Sequence, residues 1–99
     1  MFDFAHVEAF DWDAGNARKN QRHGVTQAEA EQVFFDRRLV VVPDPRHSEA
    51  EPRFHALGCT VEQRRLHVTF TLRAAGTWLR VISARDMSRK ERMIYEQET

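Results

Sequence analysis

Residues 66–73, Leu-His-Val-Thr-Phe-Thr-Leu-Arg, alternate apolar and polar side chains without a break. A period of two marks a strand with one face buried and the other turned to water. It puts Leu66, Val68, Phe70 and Leu72 on a core, and His67, Thr69, Thr71 and Arg73 on the opposite side. A chain built around this segment must form a sheet and cover one face of it. Three further runs read as strands. Leu39–Val42 is rich in β-branched residues and stops at Pro43, with Pro45 fixing the loop that follows. Over 53–60, Phe54, Ala56 and Gly58 alternate with Arg53, His55 and Leu57. Over 78–85, Leu79, Val81 and Ser83 fall on one side, with Trp78, Arg80 and Ile82 on the other. Turns are expected at Glu62–Arg65 and at Ala74-Ala75-Gly76.

The flanking segments carry helix signals. The first ten residues read as an irregular or short extended lead-in. Asp13 caps a helix over Ala14–Arg22, and Gly24 stands where a left-handed residue ends it. Thr26-Gln27-Ala28-Glu29 is a capping box opening a second helix, which places Ala30, Val33 and Phe34 on one face and ends at Phe35–Arg38. Ser88-Arg89-Lys90-Glu91 is another box, opening a third helix to about Gln97 with Met87, Ile94 and Tyr95 as its packing stripe. Trp12, Phe34 and Phe35 are core candidates. The expected architecture is α+β: two N-terminal helices, a four-stranded antiparallel meander and a C-terminal helix, with the helices on one face and residues 1–99 forming one domain.

Composition narrows the function. The longest apolar run, Leu39–Val42, is far below the roughly 20 residues of a membrane span, and the start does not read as a secretory leader. A single cysteine, Cys59, closes no internal disulfide, which fits a cytoplasmic location, and it reads as a small buried thiol. The 15 Lys+Arg balance the 15 Asp+Glu, but residues 1–36 carry seven acids against three bases and residues 59–99 five acids against eight bases. Thirteen of the 15 cations are Arg, whose planar fork grips phosphate bidentately. Neutrality therefore excludes a uniformly basic RNA coat and little else.

Gly-rich phosphate loops, GxSxG and HExxH are absent, and the five His show no ligand spacing, so neither metal nor cofactor is expected. An arginine array remains. Arg73 and Arg80 share parity across a hairpin and are placed to converge on one anion. Arg85 precedes a helix N-terminus, whose amides favour anions, and that helix carries Arg89 and Arg92. With His67 and Trp78 beside them, the arginines make a stacking platform for unpaired bases. The competing reading is that they pair with Glu62, Glu91 or Glu96 and face water.

The segments Phe10-Asp11-Trp12-Asp13, Asn20, Arg22-His23-Gly24-Val25 and Val33-Phe34-Phe35-Asp36 resemble the front half of BrnT toxins. Asp44-Pro45, His47-Ser48-Glu49, Glu51, Arg53 and Gly58 continue the resemblance, and Arg80-Val81-Ile82-Ser83-Ala84-Arg85, Arg89, Glu91-Arg92 and Tyr95-Glu96 complete it. It implies a RelE-like fold and a bacterial type II toxin–antitoxin ribonuclease that blocks translation. It also implies a BrnA antitoxin with a ribbon-helix-helix part, through which alone operator DNA is reached, and it puts functional weight on His23, His47, Arg53, Arg73, Arg80, Ser83, Arg85 and Tyr95. A metal-free ribonuclease uses the RNA 2′-OH as nucleophile and needs a base, an acid and cations about the phosphorane. The expected division of labour gives the charge to Arg73, Arg80 and Arg85 and the proton transfer to His47 or His67. Arg53, Trp78, Arg89, Arg92 and Tyr95 are expected to bind RNA. His23 reads as a partner of the preceding helix's last carbonyls and His55 as structural. Two departures from the family pattern stand out: Arg22 replaces the Lys before His-Gly, and Phe70-Thr71-Leu72-Arg73 replaces Tyr-Thr-Glu-Arg. They open a second reading, a toxin relic that binds antitoxin and acts as co-repressor.

Overall fold

The computed structural model describes residues 4–47 and 51–97. In chain order the elements are β1 (Ala9–Phe10), α1 (Ala14–Arg22), α2 (Gln27–Val33), β2 (Val40–Pro43), a 3-10 turn at Pro45–His47, β3 (Arg53–Cys59), β4 (Arg65–Arg73), β5 (Trp78–Asp86) and α3 (Arg89–Gln97). Strands β2 to β5 form the expected antiparallel meander, in the sheet order β1-β5-β4-β3-β2. The fifth strand is a correction. The lead-in runs parallel to β5, with Ala9 opposite Trp78 and Phe10 opposite Leu79, so the sheet is mixed. The Glu8 amide donates to the Thr77 carbonyl at 2.7 Å and that of Asp11 to Leu79 at 2.8 Å, covering an edge that would otherwise be open to another chain.

All three helices start on the predicted caps. The Asp13 carboxylate accepts from the amides of Gly15 and Asn16, and the Asn16 side chain accepts from the amide of Asp13. Thr26 and Glu29 exchange the same pair of bonds, as do Ser88 and Glu91. Asn16 also fastens α1 to the sheet by donating to the Val81 carbonyl at 2.8 Å. Gly58 lets α2 approach β3 closely, because a Cβ there would stand 2.9 Å from Val33 Cγ1.

The pairing of β4 with β5 contains a bulge. Thr69 faces Ser83 but Phe70 faces Val81, which leaves Ile82 as an extra residue. Leu79 and Val81 face the core as alternation predicts. Beyond Ile82 the parity inverts, so Ala84 is buried opposite Val68 while Ser83 and Arg85 join the polar face. The expected placement of Ser83 beside Leu79 and Val81 is therefore corrected.

One side of the sheet packs on α1 and α2 around Val33, Leu66, Val68, Phe70 and Val81, with the Phe34 ring edge-on to Phe70 at 5.0 Å. The helices are not all on this side. Leu57 and Cys59 have the opposite parity from Ala56 and Gly58, and Met87 and Tyr95 cover them, which brings α3 onto the other face. Within the α3 stripe Met87 and Tyr95 are buried, but Ile94 faces solvent. Phe35 is also no core residue, since it follows the last turn of α2 and projects outward. Cys59 is a buried free thiol, as expected.

Asp36 joins α2, β3 and α3 at the C-terminal end of β3. Its Oδ2 accepts from the Cys59 amide at 2.8 Å and from the Tyr95 hydroxyl at 2.5 Å, and its Oδ1 accepts from the Arg38 amide at 3.0 Å. Burial works against the Asp36 charge, but these donors hold its carboxyl below the usual range; burial and the same carboxylate push the Tyr95 phenol up. Tyr95→Phe should cost about 1.5–3 kcal/mol, the range for a hydrogen bond to a charged group. Urea denaturation measures it, and a midpoint equal to wild type would remove this bond from the account.

Candidate functional site

The polar face divides into two clusters. Arg80 stands opposite Thr71 and Arg85 opposite His67, four residues apart on β4 and so about 13 Å along the sheet. The three arginines of β4 and β5 therefore do not converge on one anion. Arg73 and Arg80 do, as their parity predicts, but the anions are the chain's own carboxylates. Arg73 Nε lies 3.0 Å from Glu51, and its NH1 group 3.5 Å from Asp11. The NH1 group of Arg80 lies 2.8 Å from Asp13 and 3.5 Å from Asp11. The Arg80 guanidinium, with the Asn16 amide, holds the Asp13 carboxyl down to about 2, and Arg73 likewise lowers Glu51. Arg80 is mostly covered, whereas Arg73 and Trp78 are exposed beside it. This much follows the salt-bridge reading, although with different acids. Arg85 follows it with an acid named in advance, Glu91.

The second cluster is built from β3, β4, β5 and the first turn of α3. Arg85 forks onto Glu91 with bonds of 2.8 and 2.9 Å and also donates to the Asp86 carbonyl. Glu91, already fixed by the α3 capping box, lies 3.8 Å from His67 Nε2. The His67 ring sits 4.8 Å from that of His55. His55 is held from both sides, its Nε2 2.9 Å from Asp44 Oδ2 and its Nδ1 3.1 Å from Thr69 Oγ1. Asp44, His55, Thr69, His67, Glu91 and Arg85 thus form one continuous polar array.

Burial pushes His67 down to about 4; the charge of Glu91 offsets part of this, while Arg85 and His55 add to it. Burial also opposes the charge of Glu91, but the Arg85 fork and the Ser88 amide bring its carboxyl down to about 2. At neutral pH the cluster therefore holds a neutral imidazole beside an ion pair. A neutral imidazole accepts a proton. Of the five N–H groups of Arg85, three are engaged among the described residues, which leaves two for an incoming anion.

The other sequence candidates are scattered. Arg53 sits on β3 opposite Thr71, and Arg89 and Arg92 are exposed on α3. Tyr95 is wholly buried beneath α3, so it belongs to the core and not to an RNA-binding surface. His47 ends the 3-10 turn, and its side chain lies outside the described residues. His23 closes α1 by donating its backbone amide to the Asn20 carbonyl at 3.1 Å. Asp44, His55 and Thr69 were missing from the candidates. The alternation that put His55 and Thr69 on the polar face was the signal for two of them. Among the described residues no group of three His, Cys, Asp or Glu is placed to hold a metal, and no helix is long and apolar enough to cross a membrane.

Because folding favours neutral His67, the unfolded chain binds a proton between about pH 6.5 and pH 4 that the folded chain refuses, and stability falls as pH drops through that window. Between about pH 7 and pH 5, wild type should lose on the order of 2 kcal/mol more than His67→Gln. Chemical denaturation at the two pH values measures this, and equal losses would exclude His67 as the source.

A family model for the ribonuclease toxin BrnT of type II toxin–antitoxin systems matches residues 12–91. No curated protein matches the chain. The matched span runs from the residue before the α1 cap to the glutamate that closes the α3 box, and so contains the whole array from Asp44 to Glu91. The chain belongs to the BrnT family of type II toxin–antitoxin ribonuclease toxins.

Proposed function

We propose that the chain is a metal-independent endoribonuclease working at the Arg85 cluster. The observation that carries this is a neutral His67 next to an arginine with uncommitted N–H groups, on a sheet face lined with further cations. His67 takes the proton of an RNA 2′-OH as the 2′-oxygen attacks the adjacent phosphorus, the phosphate charge brought against the ring offsetting the burial that lowers its basicity in the free chain. Arg85 meets the charge that develops on the phosphorane oxygens. The bond from phosphorus to the 5′-oxygen then breaks, and that oxygen takes up a proton, with His47 as the proposed acid. The products are a 2′,3′-cyclic phosphate and a 5′-hydroxyl. Arg80, about 13 Å away by the spacing of β4, and Arg73, about 20 Å away, grip a neighbouring stretch of RNA backbone instead of the scissile phosphate. Trp78 stacks on a base there, and Arg53, Arg89 and Arg92 extend the cationic track.

Residues 1–99 are proposed as one toxin domain of RelE-like type, acting in the cytoplasm to block translation. Its proposed partner is a BrnA-type antitoxin with a ribbon-helix-helix part, which carries the complex to operator DNA. Arg85→Ala should lower the cleavage rate by about 10²–10³, the range for losing one transition-state donor, while the protein stays folded and still binds antitoxin. Arg80→Ala should raise KM more than it lowers kcat. Wild-type cleavage should persist in EDTA. Full activity of Arg85→Ala would overturn the site, and EDTA-sensitive cleavage would overturn the mechanism.

A second reading has an observation of its own. Arg73, Arg80 and Arg85 are each paired with a carboxylate of the same chain. On this reading the chain is a relic that binds antitoxin and represses its operon. Expression without antitoxin should arrest bacterial growth if the chain is a ribonuclease; undiminished growth of cells containing the folded protein would favour the relic.

A further inference from the structure

Phe35 is 78% exposed just beyond α2, and Val61 is 76% exposed in the β3–β4 turn. Between them lies a cleft of about 610 Å³, whose lining also includes Arg37, Arg38, Asp36 and Tyr95. The far side of the Phe35 ring borders a second cleft of about 170 Å³, formed with Phe4, Val7 and Phe10. Phe35 is thus an apolar ridge between two hollows. Asp36, the only carboxylate among the described residues that line the larger cleft, is already bonded to Tyr95 and to the Cys59 and Arg38 amides. Arg38 lies 5.3 Å over the Tyr95 ring, and Arg37 is exposed next to it. The cleft therefore pairs exposed apolar side chains with two cations. Its complement is a peptide segment with a large apolar side chain flanked by carboxylates.

We propose that this cleft seats such a segment of the antitoxin, an inference that rests on the partner assigned above and not on cleavage itself. Its position explains how the occupant neutralises the toxin. Tyr95, at the back of the cleft, and Glu91, in the Arg85 cluster, are four residues apart on α3, about 6 Å along the helix. A segment held against Phe35 and Val61, outside the buried Tyr95, stands about one helical turn from the array, and its continuation along α3 covers Arg85. The apolar pair favours a peptide, because RNA has no aliphatic side chain to place against Val61.

The test titrates the purified chain with its proposed BrnA-type antitoxin. Arg85→Ala serves as the background, so that toxicity does not limit expression. Phe35→Asp should weaken binding at least thirtyfold, the effect of losing a hot-spot anchor, and Arg37→Glu about tenfold, with thermal melts unchanged. With Arg85 restored, Phe35→Asp should cleave RNA at the wild-type rate yet escape inhibition by antitoxin. Undiminished antitoxin binding by Phe35→Asp overturns the proposal. So does a loss of RNA binding by that variant, which would make the cleft an RNA site, or a shift from dimer to monomer, which would make it a self-association surface. If no RNA is cleaved, the titration still decides the cleft, so the two readings fail separately.

Discussion

Arg80 and Arg85 are five residues apart, and an unbroken strand would send them to opposite faces. The single extra residue at Ile82 prevents this, and much of the molecule follows from it. Without the bulge Arg85 would point into the core beside Leu66, and Ala84 would stand opposite His67. With it, Arg85 meets the glutamate that caps α3, which draws that helix onto the polar face. The helix then lays Tyr95 over Leu57 and Cys59, and the Tyr95 hydroxyl reaches Asp36 at the end of α2. One irregularity in one strand thus links the site to a contact at the end of β3.

Signals confined to a few neighbouring residues were legible in the sequence. Asp13, Thr26 and Ser88 each cap the helix they precede, because a capping box is complete within four residues. The strand segments were legible for the same reason. The bulge was not, since alternation is read on the assumption that it continues. Its trace was there, however: Val81 and Ala84 are both apolar at a spacing of three, which no regular strand buries on one side. The parallel strand β1 is two residues long and pairs with residues about seventy positions later, so periodicity carries no sign of it. The side taken by α3 was visible only as an exception, the apolar Leu57 and Cys59 at positions of polar parity. The site was half legible. His67 and Arg85 were named, but the partners that set their charge, Glu91 and His55, act from other elements.

The ion pairs on this face do not by themselves count against RNA binding. Arg73 is close to half exposed and its pairs with Glu51 and Asp11 lie at the surface, where such pairs contribute about 0–1 kcal/mol each. Exchanging a carboxylate for a phosphate there costs little. The pairs also hold long side chains in place, which on the proposed function lowers the ordering entropy that RNA binding would cost. The Arg85 pair is different, since its glutamate is also bound into the α3 cap. Arg85 is better placed to receive a phosphate on its remaining N–H groups than to release Glu91.

The acidic first third of the sequence and the Arg-bearing last third are therefore not two poles of the folded protein. Asp11 and Asp13, from the segment between β1 and α1, lie against Arg73 and Arg80, so part of the opposition in sequence is cancelled in space. An anion that brings only charge must displace these carboxylates and gains little. A single-stranded RNA brings phosphates and also a base for Trp78, and the base stacking, worth about 1–3 kcal/mol, is a gain the carboxylates cannot match. Under the proposed function, internal neutralisation is a filter: it suppresses attraction to polyanions in general and leaves stacking on Trp78 to select an unpaired strand.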